Sequence, residues 1–91
     1  MSNPIFNDLR IKLAESIKTF PHVYMFKFII KADNQTMALV EAIFESDAEF
    51  KQSQSAKGNY ISITVRQVVL SIDDIIYIYE RAAEIKGVMS L

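Results

Sequence analysis

The sequence predicts an α+β fold of the ferredoxin-like type. This fold is a βαββαβ sandwich with a four-stranded antiparallel sheet and two helices on one face, here preceded by an N-terminal helix. Stretches with the two-residue period of strands alternate with stretches of helical period in this order. A chain of 91 residues has room for one hydrophobic core only. We therefore expect an N-terminal helix at residues 1–19 and a ferredoxin-like domain at residues 20–91.

The first two predicted elements are a helix from Ile5 to Lys18 and a strand from Val23 to Lys31. Asn3 is a suitable N-cap, with Pro4 at the first helical position. Phe20-Pro21 ends the helix, because a residue before proline is pushed out of the α region. The strand alternates, and its even-numbered residues should face the core.

The next two predicted elements are a helix and a polar strand. Asp33 or Asn34 can cap the helix, which should run to about Glu45. Glu49 to Ser55 follows as a strand with few apolar residues. Such a strand is typical of a sheet edge.

The last three predicted elements complete the sandwich. Tyr60 to Leu70 alternates strongly and should be a central strand. Ser71 is a well-placed N-cap for the third helix, and Gly87 ends it. Val88 to Leu91 is long enough only for a terminal edge strand.

The composition excludes several classes of function. Ten basic and eleven acidic residues give a formal net charge of −1, and the chain has no cysteine and one histidine. We therefore expect no thiol chemistry, no metal site and no cofactor. The apolar runs are too short to span a bilayer. The N-terminus has no export signal, so a cytoplasmic location is expected.

The sheet face that the two helices leave open is the first candidate site. Its expected side chains form a mixed apolar and charged surface: Met25, Lys27, Ile29, Ser62, Thr64 and Arg66. This surface could pair with a second copy, be covered by the N-terminal helix, or bind a ligand. Self-association is the favoured reading, because exposed apolar patches commonly mark interfaces.

The turn before the central strand is the second candidate site. Its residues could bind a small anion or carboxylate, because a glycine turn can present backbone N–H groups beside a lysine; they are Ser55, Lys57, Gly58, Asn59 and Tyr60. A purely structural role is favoured, since Gly58-Asn59 is typical of the turn of a β-hairpin.

RNA binding and catalysis are both disfavoured by the residues. RNA-binding domains of this fold stack bases on outward aromatic side chains, but Met25 and Ile29 occupy those places on the first strand. The chain has no recognisable catalytic motif, and a serine without a base, such as Ser62, is not a nucleophile. We therefore expect a protein that is not an enzyme.

Several motifs together resemble one family. Phe20-Pro21 precedes an aromatic strand, Ser55-Ala56-Lys57-Gly58-Asn59-Tyr60-Ile61-Ser62-Ile63 enters the central strand, and Val88-Met89-Ser90-Leu91 ends the chain. These motifs resemble the YbeD-like family of small uncharacterised bacterial proteins over nearly the whole chain. The resemblance implies a fold similar to ACT regulatory domains, which bind amino acids and pair through their sheets. Gln67 departs from the family pattern at a position expected to be apolar.

The leading hypothesis from the sequence is a non-enzymatic regulatory or adaptor module. It would act through the open sheet face and the N-terminal helix, as a homodimer or with another protein. The alternative is an ACT-like sensor of an amino acid or small carboxylated metabolite at the turn.

Overall fold

A computed structural model describes residues 6–55 and 57–91 of the chain. The elements are α1 (Asn7–Ser16), β1 (His22–Lys31), α2 (Asn34–Glu41), β2 (Glu49–Gln54), β3 (Tyr60–Val69), α3 (Ile72–Ala83) and β4 (Val88–Ser90). After α1 the order is βαββαβ, which confirms the predicted α+β fold.

The four strands form one antiparallel sheet in the order β2-β3-β1-β4. The long strands β1 and β3 lie at the centre, where Phe28 pairs with Ile63 on one side and Ser90 on the other. The polar strand β2 lies at an edge, as its composition predicts.

The core lies between the sheet and the helices. The even-numbered residues Phe26, Phe28 and Ile30 of β1 are buried, which confirms the predicted face. The ring of Phe26 lies 5.4 Å from the rings of both Phe44 and Tyr79. Aromatic side chains therefore fill much of the space between the two layers.

The N-terminal helix α1 packs in the helix layer and does not cover the open sheet face. Leu13 and Ile17 are buried in the common core, and the ring of Phe6 stacks on Tyr79 at 6.4 Å. Arg10 also forms an ion pair with Asp73 at the start of α3. The sheet face is therefore left uncovered by this helix.

Three helix boundaries differ from the prediction: α3 ends at Ala83 rather than at Gly87, and α1 and α2 are also shorter than predicted. The helix α1 ends at Ser16 rather than Lys18, because Ile17 has extended backbone angles. The predicted cap residues Asn3 and Pro4, together with Ile5, lie outside the described residues.

The helix α2 ends at Glu41 rather than Glu45, and the chain then turns so that Phe44 enters the core. The side chain of Gln67 stabilises this turn. Its side-chain oxygen accepts a hydrogen bond of 2.7 Å from the backbone N–H of Glu45. A polar residue thus stands on the helix side of β3 because it holds the connection between α2 and β2.

The predicted N-caps of α2 and α3 are confirmed, and for α2 the cap is Asp33 rather than Asn34. The Asp33 carboxylate accepts from the backbone N–H of Thr36, and the Ser71 hydroxyl accepts from the backbone N–H of Asp74. Gly87 follows α3 with φ +91, a conformation that favours glycine.

The described residues contain no helix long and apolar enough to cross a membrane.

Candidate functional site

The open sheet face is the side of the sheet opposite the three helices. It comprises the odd-numbered residues of β1 and β2, the even-numbered residues of β3, and Met89 of β4. These positions follow from the burial of their neighbours, because successive side chains of a strand point to opposite faces.

The strand register brings all six predicted interface residues together. Met25 pairs with Arg66, Lys27 with Thr64, and Ile29 with Ser62. These pairs form three adjacent rows across the centre of the sheet. Directly opposite residues on one sheet face have their Cβ atoms about 5 Å apart, so the six side chains form one continuous surface.

The open sheet face exposes more apolar surface than the sequence alone indicated. Val23, Met25, Val68 and Met89 have 58%, 41%, 50% and 61% of their surface exposed. Val23 pairs with Val68, and Met89 pairs with Ile29. Strand alternation predicts Val68 on this face, and applied one residue pair further along β1 it also places Val23 there. The position of Met89 depends on the register of β4, which the sequence does not specify.

The open sheet face also carries more basic than acidic groups. Its charged residues are Lys27, Lys31, Lys51, Arg66 and Glu49. Four cations thus share the face with one carboxylate, although the whole chain has a formal net charge of −1. Strand β2 supplies Lys51 opposite Thr64, a cation that the sequence-based prediction did not include.

The turn between β2 and β3 uses its own backbone N–H groups. The N–H of Ser55 donates to the carbonyl of Tyr60, and the N–H of Gly58 donates to the carbonyl of Ser55, both at 2.9 Å. The N–H of Tyr60 donates to the Ser55 hydroxyl at 3.2 Å. Gly58 has φ +73, as a tight turn requires. These N–H groups are therefore engaged within the turn, while Lys57 and Asn59 are exposed.

A cleft of about 420 Å³ lies beside this turn, where β1 ends. It is lined by Lys31, Ala32, Asp33, Gly58, Asn59 and Tyr60. The N–H of Ala32 donates to the carbonyl of Asn59 at 3.0 Å and ties the two loops together. Its lining includes the exposed Lys31 and the Asp33 carboxylate, which also accepts two hydrogen bonds from Thr36.

A larger cleft, of about 550 Å³, opens between α2 and α3 in the helix layer. Its apolar lining includes Leu39, Ile43 and the exposed Tyr77. This cleft was not predicted, because the sequence does not specify how α2 and α3 pack against each other. The only signal was the presence of Leu39 and Tyr77 outside the buried helix faces.

The described residues contain no group of three or more His, Cys, Asp and Glu side chains that could hold a metal ion. The single histidine, His22, is exposed at the start of β1 and pairs with Val69.

The fold and the open sheet face define a small α+β domain whose helices cover only one side of the sheet. The chain belongs to the family described as "Protein of unknown function (DUF493)", whose model matches residues 15–91. A curated relative, a "UPF0250 protein" of Shewanella piezotolerans (strain WP3 / JCM 13877), is 30% identical over 78 residues. The match covers 81% of this chain and 89% of the relative. No solved structure matches the chain. These findings confirm the resemblance to the YbeD-like family.

Proposed function

We propose that this protein is a non-enzymatic regulatory or adaptor module that binds another protein through its open sheet face. The observation that carries the proposal is the exposure of Val23, Met25, Val68 and Met89 on a face that α1 leaves uncovered. Apolar side chains grouped on one surface favour association, because their burial removes apolar area from water.

The arrangement of nucleophile and base residues supports a non-enzymatic role. Ser62 is paired with Ile29 near one end of β1, whereas His22 lies at the opposite end. Ile29 and His22 are seven positions apart on β1, which places their backbones roughly 23 Å from each other. A general base must lie within about 3 Å of the group it activates.

A comparison of two matched double variants tests this role. Met25→Thr/Ile29→Thr makes the open sheet face polar with residues suited to strands. Leu39→Gln/Tyr77→Gln does the same for the cleft between α2 and α3 with residues suited to helices. Tagged protein is used to capture partners from cells. We expect a partner that the wild type and the helix-layer variant retain and the sheet-face variant loses. A partner lost only from the helix-layer variant would overturn the proposal.

We also propose that the module is a homodimer, paired through β2 rather than face to face. Stacking two open sheet faces would bring Lys27 and Arg66 of one copy near the same cations of the other, which is unfavourable. At the edge of the sheet, the backbone groups of β2 offer an alternative. Since Ser55 donates to Tyr60 of β3, the alternate residues Phe50 and Gln52 direct their N–H and C=O groups outward.

Charge selects one register for this edge pairing. An antiparallel pair of β2 strands with a twofold axis at Phe50 places Glu49 of each copy opposite Lys51 of the other. The register centred on Lys51 would instead place two lysines opposite each other. Opposite charges in such cross-strand pairs contribute roughly 0.2–1 kcal/mol, and like charges are destabilising.

Charge reversal on β2 tests the dimer. By sedimentation velocity at high micromolar concentration, we expect the wild type to dimerise and the single variants Glu49→Lys and Lys51→Glu to be weaker dimers. The double variant Glu49→Lys/Lys51→Glu should restore the dimer, because it re-forms both pairs with the charges exchanged. A monomeric wild type, or a double variant no better than the singles, would refute this arrangement.

The cleft beside the β2–β3 turn supports a second candidate function, an ACT-like sensor of an amino acid or small carboxylate. Lys31 could meet the carboxylate, and the Asp33 carboxylate, which caps α2 but can accept further hydrogen bonds, could meet the amino group. A thermal-shift screen of amino acids and organic acids tests it. A ligand at 100 times its Kd adds about 2.7 kcal/mol of stability. A shift that Lys31→Met removes would support the sensor, and a screen without a shift would count against it.

A further inference from the structure

We propose that the partner of the open sheet face is an acidic polypeptide segment that binds in an extended conformation, with carboxylates and aliphatic side chains alternating along one of its faces. This inference rests on the proposed function and names the chemistry of the partner. It follows from the charges of the face, their spacing, and the apolar side chains between them.

Positive and negative charge are separated between the open sheet face and the rest of the molecule. The open sheet face has a surplus of three positive charges, from Lys27, Lys31, Lys51 and Arg66 against Glu49. Since the chain has a formal net charge of −1, the remaining residues carry a net charge of −4. A basic surface on an acidic protein favours a partner of opposite local charge.

None of these cations belongs to an ion pair among the described residues, although Asp33 lies near Lys31 and Glu49 lies opposite Arg66. The ion pairs among the described residues, Arg10 with Asp73 and Arg81 with Glu84, lie in the helix layer. Neither pair includes a cation of the open sheet face. An incoming carboxylate would therefore gain a new ion pair without having to displace an internal one.

The spacing of the cations along β1 fits an extended segment, and it does not depend on Lys51, which the proposed dimer pairs with Glu49 of the other copy. Lys27 and Lys31 are four residues apart on β1, or roughly 13 Å along the strand. Ile29 lies between them and pairs with the exposed Met89. In an extended segment, alternate residues share one face, so acidic residues at positions i and i+4 with an aliphatic residue at i+2 match this spacing.

The apolar side chains favour a polypeptide over RNA. Single-stranded nucleic acids bind through aromatic side chains on which bases stack, and Tyr60 is the only aromatic residue on the described open sheet face. The groups beside the cations are Met25, Ile29 and Met89, which suit aliphatic partners. A long polyanion would also extend beyond the face toward the acidic remainder of the chain, whereas a short segment lies within it.

Fluorescence anisotropy with defined probes tests the proposal. The probes are a labelled twelve-residue peptide with three repeats of Glu-Thr-Leu-Thr, which presents Glu and Leu in turn on one face of an extended strand, the same peptide with Gln for Glu, and a labelled oligo(U) of twelve nucleotides. We expect the Glu peptide to bind at least tenfold more tightly than the Gln peptide at low salt. Its affinity should fall as salt is raised, because screening weakens exposed ion pairs.

Two variants with the same change in net charge locate the binding surface. Lys27→Glu/Lys31→Glu should reduce binding of the Glu peptide at least tenfold. Lys12→Glu/Lys18→Glu, on and just after the exposed side of α1, should leave binding within about twofold. Thermal unfolding of both variants checks that they fold.

The possible failures can be told apart. Equal binding of the Glu and Gln peptides, equal losses in both variants, or tighter binding of oligo(U) would overturn the acidic-segment proposal. If the partner capture still depends on Met25 and Ile29, the interaction module stands and only the chemistry of its partner is wrong. If that dependence is absent as well, the proposed function itself fails.

Discussion

The hydroxyl of Tyr24 on β1 lies 3.2 Å from the hydroxyl of Tyr79 on α3. Their rings meet edge to face, with centroids 6.4 Å apart. Burial raises the pKa of Tyr79 well above its usual range, and the hydrogen bond to Tyr24 adds to this effect. The contact therefore joins the sheet to the helix layer and keeps a phenol uncharged inside the core.

This contact predicts a loss of stability in alkali. Tyrosines in the unfolded chain ionise near pH 10, whereas Tyr79 in the folded protein keeps its proton to a higher pH. The folded state therefore holds more protons above about pH 10, and its stability must fall as the pH rises further. Urea unfolding at successive pH values measures the effect. Tyr79→Phe should reduce the alkaline slope and, at pH 7, cost about 1 kcal/mol.

Tyr77→Phe is the matched control, because Tyr77 is on the same helix and exposed. It should leave both the stability at pH 7 and the alkaline slope close to those of the wild type. Equal slopes in the Tyr79→Phe variant and the wild type would contradict the assignment.

A second prediction concerns the attachment of α1. Leu13 is 5% exposed and belongs to the core, whereas Ile11 on the same helix is 58% exposed. Leu13→Ala should destabilise the protein by about 2–5 kcal/mol, the usual cost of truncating a buried leucine. Ile11→Ala should change the stability by less than about 0.5 kcal/mol. Denaturant unfolding followed by circular dichroism gives both values, and similar values for the two variants would show that α1 does not pack as described.

A third prediction concerns the cap of α2. The backbone N–H and hydroxyl of Thr36 donate to the Asp33 carboxylate and lower its pKa. The stability from this carboxylate is present above the unfolded pKa of about 3.9 and is lost as the pH falls through the lower folded value. Carbon-13 NMR of the carboxyl group measures the pKa directly. Thr36→Val should raise it toward the unfolded value, and an unchanged pKa would exclude the hydroxyl as a cause.

A fourth prediction concerns the start of α3. The Ser71 hydroxyl accepts from the N–H of Asp74, and the Asp74 carboxylate accepts from the N–H of Leu70 at 2.8 Å. Ser71→Ala should cost about 1 kcal/mol, because it removes the N-cap acceptor. Ser46→Ala, in an exposed turn, is the control and should be nearly neutral. Equal melting temperatures for the two variants would mean that this cap adds no stability.

The elements that are marked by the pattern of adjacent residues could be predicted from the sequence. The alternation in β1 identified its core face, and Asp33 and Ser71 identified two helix starts, because caps and strand periods depend on adjacent residues. The end of α2 could not be predicted. Phe44 leaves the helix to fill the core, and the side chain of Gln67, far along the chain, holds the turn that allows it.

In the candidate sites too, features that depend on adjacent residues could be predicted and features that depend on distant residues could not. Met25 and Arg66 were assigned to one face from alternation alone, but the addition of Lys51 and Met89 required the pairing of β2 and β4. At the β2–β3 turn the sequence showed a glycine beside a lysine. It could not show that the N–H groups of Ser55, Gly58 and Tyr60 are already used within the turn.

The cations on one side of the sheet have a consequence for how the protein meets its partners. Positive charge on the sheet and negative charge on the helix layer make the molecule an electric dipole. Near an acidic surface, such a dipole experiences a torque that turns the sheet toward that surface before any contact forms. Productive encounters would then be faster at low ionic strength, so that Lys27 and Arg66 would influence the rate of association as well as its final strength.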